Sequence, residues 1–210
     1  MFNINTFYKK SNNSDSINNQ NNNNNNSIRI IGIDPGSIYT GWGILDSSQF
    51  GRKIKLVSIG LIDAKKYHYP HNLSLIFNEL KEVIEEYSPS IMVIESAFSG
   101  LNPSSLIKLS QARGVICLLS SLFSINLKEY APRYIKKNVA GYGGADKEAV
   151  RRMVYNFIKE LKDINFNNNN NVSDNNTYIE KGSKVLILNN NISDALSAAI
   201  CCATDMSNYI

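Results

Sequence analysis

No apolar run in this sequence reaches the ~18 residues that a membrane-spanning helix needs. The N-terminus also lacks a charged-then-apolar stretch followed by a small-residue cleavage site, so we expect no secretory signal peptide. These two absences predict a cytoplasmic protein. The chain has 210 residues, of which 43% are hydrophobic, enough to bury one ordinary core, which predicts a single folded domain.

Cysteine is scarce, with only Cys117, Cys201 and Cys202 in the chain. None of them has a CxxC or Cys/His partner at the spacing of metal ligands. This excludes a cysteine-based metal site, and we expect reduced thiols that behave as small buried hydrophobic groups.

Charged residues are also few, at 19% of the chain, and asparagine supplies much of the remaining polarity. The asparagines concentrate in residues 11–26 and 162–191. Residues 1–27 contain too few apolar groups to offset the entropy of ordering, which predicts a disordered Asn-rich tail. Residues 28–206 are predicted to form one domain with an Asn-rich insertion at about residues 162–190.

Positive charge is concentrated in one part of the chain. Residues 104–159 hold ten Lys or Arg against three Asp or Glu, an excess of seven positive charges in a chain whose net charge is +4. This excess favours a polyanionic partner such as a nucleic acid. The alternative interpretation is a solvated helix face, and charge alone does not separate the two.

The pattern of apolar residues predicts alternating strands and helices. Short apolar or alternating runs indicate strands at residues 28–33, 41–45, 55–62, 91–94 and 127–130. Three-four spacing and N-terminal signals indicate helices at residues 73–87 and 103–123 and from Pro132, Asp146 and Asp194. The predicted fold is α/β, with a mixed five-stranded sheet flanked by helices.

Acidic residues stand at the ends of two predicted strands and at the start of the last predicted helix. Asp34 and Glu95 end their strands, and Asp194 is predicted in the first helical turn, where the helix dipole favours negative charge. Alone, Asp34 is explained as a turn residue and Asp194 as a helix cap, but Glu95 follows four apolar residues and is costly to bury unpaired. Three carboxylates at one sheet edge call for a divalent cation, and oxygen ligands select Mg²⁺ or Mn²⁺.

Four motifs follow one another along the chain. They are Ile-Gly-Ile-Asp-Pro-Gly-Ser-Ile-Tyr-Thr-Gly-Trp-Gly at residues 31–43, Ile-Glu-Ser-Ala-Phe at 94–98, Leu-Ser-Gln-Ala-Arg-Gly at 109–114 and Ser-Asp-Ala-Leu-Ser-Ala-Ala at 193–199. In combination they resemble the RuvC family of Holliday junction resolvases. The Gly-Ile-Asp-x-Gly piece alone also occurs in sugar kinases and actin-like ATPases, but those proteins need two such domains and the ~180 residues outside the tail supply one.

The resemblance implies an RNase H-like fold and a homodimer that resolves four-way DNA junctions by paired symmetric nicks in recombination and repair. It implies two Mg²⁺ ions per subunit, with Mn²⁺ as a substitute, and the branch-migration proteins RuvA and RuvB as partners. Residue by residue, Asp34, Glu95 and Asp194 match catalytic, metal-binding acids of the family.

Three further matches concern DNA binding. Phe98 matches an aromatic residue thought to stack on a base at the opened junction, although as a plain core residue it would need no such role. Lys136 and Lys147 match lysines that contact the DNA backbone. Their position within the basic stretch favours a role in DNA binding over a solvated face.

One position departs from the family pattern. The family has a fourth metal-site residue, usually Asp and sometimes His, three positions before the last acid, where this chain has Asn191. The Asn191 amide oxygen can ligate Mg²⁺ without bringing charge, one helical turn from Asp194. Alternatively, the alignment is displaced and Asp174 or Glu180 substitutes. The departure also motivates a rival function, a junction-binding protein with weakened or lost nuclease activity.

The predicted helix at residues 103–123 carries an apolar stripe with two explanations. The stripe either packs only on the sheet or also forms a dimer surface, since paired nicks require two active sites. The sequence leaves both open.

Overall fold

A computed structural model describes the fold for residues 7–9, 27–49, 51–96, 102–158 and 189–206. Phe98 lies outside these ranges, as do nearly all of the predicted tail and insertion. Within the described ranges, no helix is long and apolar enough to cross a membrane.

A mixed sheet of six strands forms the centre of the described fold. The strands are β1 (Phe7–Lys9), β2 (Ile28–Asp34), β3 (Tyr39–Ser48), β4 (Lys53–Asp63), β5 (Ile91–Glu95) and β6 (Asn126–Tyr130). They lie in the order β1-β4-β3-β2-β5-β6. Strands β2, β3 and β4 form an antiparallel meander, whereas β5 runs parallel to β2 and β6 parallel to β5. Strands β2 to β6 confirm the predicted five-stranded mixed sheet.

The first strand lies within residues 1–27, which the sequence predicts to be a disordered tail, a prediction that concerns mostly residues outside the described ranges. Residues Phe7–Lys9 pair antiparallel with Ser58, Ile59 and Gly60 of β4. Without β1, β4 would be the edge strand of the sheet, and an edge strand presents unpaired N–H and C=O groups that a short extended segment can satisfy. The composition of the tail gives no sign of this pairing, because it depends on a neighbour that is distant in sequence.

Five helices cover the sheet in the described ranges. They are α1 (His71–Tyr87), α2 (Pro103–Leu122), α3 (Pro132–Ala140), α4 (Lys147–Phe157) and α5 (Asn190–Asp205). Asn102 caps α2 by accepting a hydrogen bond from the Ser105 N–H at 2.9 Å. Asp146 caps α4 by accepting one from the Ala149 N–H at 2.7 Å, as its sequence position predicted.

The last helix begins four residues earlier than predicted. Its N-cap is Asn189, whose side chain accepts a hydrogen bond from the Asn191 N–H at 2.7 Å. Asp194 therefore lies in the second turn of α5, and the predicted stabilisation of its carboxylate by the first-turn dipole does not apply. The start was misplaced because the capping residue is one asparagine in an asparagine-rich run.

The two faces of the sheet pack against different helices. The apolar residues of one face share a buried cluster with α3, α4 and α5, and those of the other face share one with α1 and α2. Because side chains alternate between the faces of a strand, Ile31 and Ile33 point towards α1 and α2, whereas Gly32 lies under α5. The same alternation directs the next residue, Asp34, to the α5 face.

Candidate functional site

Asp34 and Glu95 lie side by side at one edge of the sheet. Each is the last residue of its strand, and the preceding residues, Ile33 and Ile94, are partners in the parallel pairing of β2 with β5. Neighbouring strands are about 4.8 Å apart, so the two residues are adjacent across the sheet. By alternation, both carboxylates point to the α5 face, and the structure thus brings together the first two acids that the sequence singled out.

Glycines in β2 and β3 allow α5 to approach this edge closely. A Cβ atom on Gly32 would lie 2.0 Å from the Ala195 carbonyl oxygen, and one on Gly41 would lie 2.2 Å from the Asn191 carbonyl oxygen. The backbone of α5 therefore rests directly on the sheet on either side of Asp194. This contact brings the third predicted acid, Asp194, into the electrostatic range of Asp34 and Glu95.

The three carboxylates are desolvated and repel one another. Burial raises the pKa of Asp34 well above its usual value, and the charges of Asp194 and Glu95 raise it further. Burial also raises the pKa of Glu95, as does the charge of Asp194. The pKa of Asp194 is raised by burial, although Lys147 and Lys136 oppose the rise. A desolvated acidic cluster of this kind favours binding of a cation.

The chemical nature of the three donors fits a hard divalent cation. All three groups are carboxylates, the oxygen ligands that Mg²⁺ and Mn²⁺ prefer. Across the described ranges, however, no three Asp, Glu, His or Cys side chains are arranged to hold a metal ion together. Lys147 Nζ lies 3.7 Å from Asp194 Oδ2, and the Lys147 side chain is 71% exposed. Asp194 is only 28% exposed, so the pair is open to solvent on the Lys147 side alone.

The fourth predicted position, Asn191, lies in the first turn of α5. Its side chain is half-buried, one helical turn before Asp194 on the same helix. The alternatives Asp174 and Glu180 lie outside the described residues, so their substitution for Asn191 stays a prediction.

Two of the predicted DNA-binding residues lie beside the acids. Lys136 belongs to α3 and Lys147 is the first residue of α4, and both helices pack against α5. Their positive charges lower the pKa values of Glu95 and Asp194, against the effect of burial. Two lysines of the basic part of the chain, residues 104–159, therefore flank the acidic cluster.

Sequence reasoning gave no role to Arg113, which contacts the same edge. Its guanidinium Nη1 donates a hydrogen bond to the backbone carbonyl of Glu95, and Nη2 donates one to Glu129 Oε2 at 2.9 Å. The Leu-Ser-Gln-Ala-Arg-Gly motif was the only signal in the sequence, and it carries no information about these partners.

A family profile described as crossover junction endodeoxyribonuclease RuvC matches residues 30–174, more than half of the chain. The chain belongs to the RuvC family. This confirms the resemblance seen in the motifs. The RuvC of Hydrogenovibrio crunogenus is 44% identical over 131 residues, covering 62% of this chain and 75% of that protein. The RuvC of Wolbachia sp. subsp. Brugia malayi is 40% identical over 134 residues, covering 63% and 82%.

Solved structures of the RuvC family share the fold. Thermus thermophilus RuvC matches with a TM-score of 0.66 and 22% identity over 84% of this chain and 94% of that one. T. thermophilus RuvC in complex with a Holliday junction substrate also matches with a TM-score of 0.66, at 20% identity over 87% of this chain and 96% of that one. These likenesses confirm the predicted α/β, RNase H-like fold.

Proposed function

We propose that this RuvC-family chain is a structure-specific endonuclease that resolves Holliday junctions by paired symmetric nicks, through metal-dependent hydrolysis of phosphodiester bonds. The observation that carries the proposal is the meeting of Asp34, Glu95 and Asp194 at one sheet edge, flanked by lysines. The names of its relatives, which are crossover junction endodeoxyribonucleases, support the same reaction.

The three acids are proposed to hold the metal. Two Mg²⁺ ions per subunit, for which Mn²⁺ substitutes, would supply activation of a water and stabilisation of the leaving 3′ oxygen. The charges of both Asp194 and Glu95 act on the buried carboxyl group of Asp34. Asp34 is therefore proposed to contribute to the binding of both ions. Glu95, Asp194 and the neutral Asn191 would supply the remaining protein ligands.

The lysines are proposed to bind phosphate. Lys147 pairs with Asp194 in the free protein, and its long exposed side chain can turn from that carboxylate to a scissile phosphate. Lys136 would contact the backbone beside it, and Phe98 would stack on a base at the opened centre. Because this recognition depends on phosphates, affinity for the junction should fall steeply as salt concentration rises.

A homodimer is proposed to form through α2. Ile107, Leu118 and Leu122 are large apolar residues exposed on this helix. Gly114 falls on the same helical face, and a Cβ there would meet no atom within 4 Å. An apolar face with open space beside it suits a second copy, and two copies supply the two sites that paired nicks need. RuvA and RuvB are proposed partners on the strength of the family alone.

The test is cleavage of a labelled synthetic four-way junction over a series of Mg²⁺ and Mn²⁺ concentrations. The native chain should give paired nicks, and Asp34→Asn should bind the junction without cutting it. Asn191→Asp should cut at a lower Mg²⁺ concentration than the native chain, because it adds a charged ligand. If the native chain binds but only Asn191→Asp cuts, the protein is a junction-binding module instead. Absence of any junction binding would refute both functions.

A further inference from the structure

Arg113 links α2 to the ends of two neighbouring strands. Its Nη1 donates to the backbone carbonyl of Glu95, the last residue of β5, and its Nη2 donates to Glu129 Oε2 on β6 at 2.9 Å. The Arg113 side chain is only 13% exposed, whereas Glu129 is 43% exposed. The guanidinium is therefore held between a backbone group at the candidate site and a carboxylate outside it.

The bond to Glu95 falls at the end of β5, on the last peptide plane that the sheet holds within the described residues. The backbone of β5 is paired with β2 and β6, and the N–H side of this plane, from Ser96, donates to the Tyr130 carbonyl at 2.8 Å. The peptide plane between Glu95 and Ser96 sets the direction in which the Glu95 side chain leaves the backbone. Arg113 holds the oxygen of that plane, so it restrains the carboxylate without touching it.

We propose that Arg113 is a positioning residue that fixes the Glu95 carboxylate for metal binding, and that Glu129 in turn orients Arg113. This inference rests on the proposed function, since it requires Glu95 to be a metal ligand. It extends that function to a residue that contacts neither metal nor DNA in the proposal.

The geometry calls for arginine at this position. A guanidinium is a planar fork whose separate N–H groups can reach two acceptors on different strands at once, whereas a lysine ammonium is a single point. Arg113→Lys should therefore keep the positive charge but lose one of the two contacts, giving a partial defect. Arg113→Gln should lose both the charge and the fork, giving the larger defect.

Arg29 offers a matched control at the opposite end of β2. It donates to the Tyr87 carbonyl at 3.0 Å and to the two carboxylate oxygens of Asp46 at 2.7 and 2.9 Å. It thus makes the same kinds of bond as Arg113, to one carbonyl and one carboxylate, but far from Asp34 along the strand. Arg29→Gln removes comparable structural contacts without touching the candidate site.

The experiment compares the full chain with Arg113→Gln, Arg113→Lys, Arg29→Gln and Glu95→Gln. Binding of Mn²⁺ to each free protein is followed by the electron paramagnetic resonance signal of the unbound ion, and Tm is measured alongside. Single-turnover junction cleavage is then measured against Mn²⁺ concentration. Arg113→Gln should weaken Mn²⁺ binding by about 10- to 100-fold, the usual effect of losing a group that orients a metal ligand. Arg113→Lys should show a smaller loss, and Arg29→Gln none, while metal-free junction affinity stays constant.

Two results separate failure of this inference from failure of the proposed function. If Glu95→Gln weakens Mn²⁺ binding but Arg113→Gln behaves like Arg29→Gln, Arg113 is only structural and the inference is overturned. If Glu95→Gln also leaves Mn²⁺ binding and cleavage unchanged, Glu95 is not a ligand and the proposed site itself is wrong. Should Arg113→Gln fail to fold, Arg113→Lys together with Glu129→Gln carries the same test, and native Mn²⁺ affinity in both would overturn the inference.

Discussion

Where α5 crosses β2 and β3, the contact is made mostly by small residues, and we call it the small-residue face. The face beneath α1 and α2 is lined mostly by large residues. The buried positions of α5 are mostly alanine, serine and cysteine, and Gly32 and Gly41 lie opposite them in the sheet. On the other face, Trp42 packs among aliphatic side chains such as Ile76 and Leu80. The candidate acids belong to the small-residue face.

The difference shows how the fold fixes the site. Small residues let the backbone of α5 rest on the backbone of β2 and β3, and backbone atoms cannot change rotamer to relieve a clash. Large side chains on the other face can repack around a change in volume. We therefore expect the small-residue face to be intolerant of added atoms, and the large-residue face to lose only stability when atoms are removed.

Gly32→Ala is expected to have the largest effect. Its Cβ would meet the Ala195 carbonyl oxygen at 2.0 Å and the Ala199 Cβ at 3.0 Å, so α5 must move away from the sheet. We expect a loss of about 3 kcal/mol in the free energy of unfolding, at the upper end of overpacking costs. Because Asp194 moves with α5, junction cleavage per folded molecule should also fall. Urea unfolding and single-turnover cleavage measure the two effects.

The control for Gly32→Ala is a methyl group added where space exists. Gly144→Ala, just before α4, would meet the Tyr142 Cδ2 atom at 3.9 Å, an ordinary contact, and alanine restricts the unfolded chain more than glycine does. This variant should unfold at the same or a higher urea concentration. If Gly32→Ala matched it in stability and cleavage, the close approach of α5 would not determine the site.

The sequence was sufficient to predict much of this fold. The short apolar run that starts at Ile28 and the three-four spacing in α1 are local patterns, and both elements lie close to where they were predicted. The acids at the ends of β2 and β5 could also be predicted to meet, because parallel strands end at the same sheet edge. Their assignment as metal ligands stays a prediction.

The parts that were missed depend on contacts between distant segments. Strand β1 pairs with β4 at the edge of the sheet, and no pattern within the tail encodes that pairing. Nothing in the local sequence distinguishes Gly32 and Gly41 from other strand glycines, because their importance depends on the close approach of α5. The two partners of Arg113 come from different strands, so its contacts could not be inferred from a motif on one helix.

Asp205→Asn tests whether the whole small-residue face controls cleavage, and its expected effect is smaller. Asp205 lies about 16 Å from Asp194 along α5. Its carboxylate accepts hydrogen bonds from the Tyr130 hydroxyl at 3.0 Å and the Tyr134 hydroxyl at 2.6 Å. Replacing the charged acceptor should lower the free energy of unfolding by about 1–2 kcal/mol. Cleavage per folded molecule should not change, and a fall would mean that the far end of α5 is coupled to the site.

Ile76→Val is expected to have the smallest effect and completes the comparison, because it changes the protein by one carbon, as Gly32→Ala does. Ile76 belongs to α1 and is fully buried in the cluster of large residues between α1, α2 and the sheet. Removing one methylene there should lower the free energy of unfolding by about 1 kcal/mol in urea titrations. Cleavage and Mn²⁺ affinity should match the native chain, since neighbouring side chains absorb the lost volume before it reaches the sheet edge. A loss of cleavage as large as that of Gly32→Ala would show that both faces position the acids, and that backbone contact beneath α5 is not what distinguishes them.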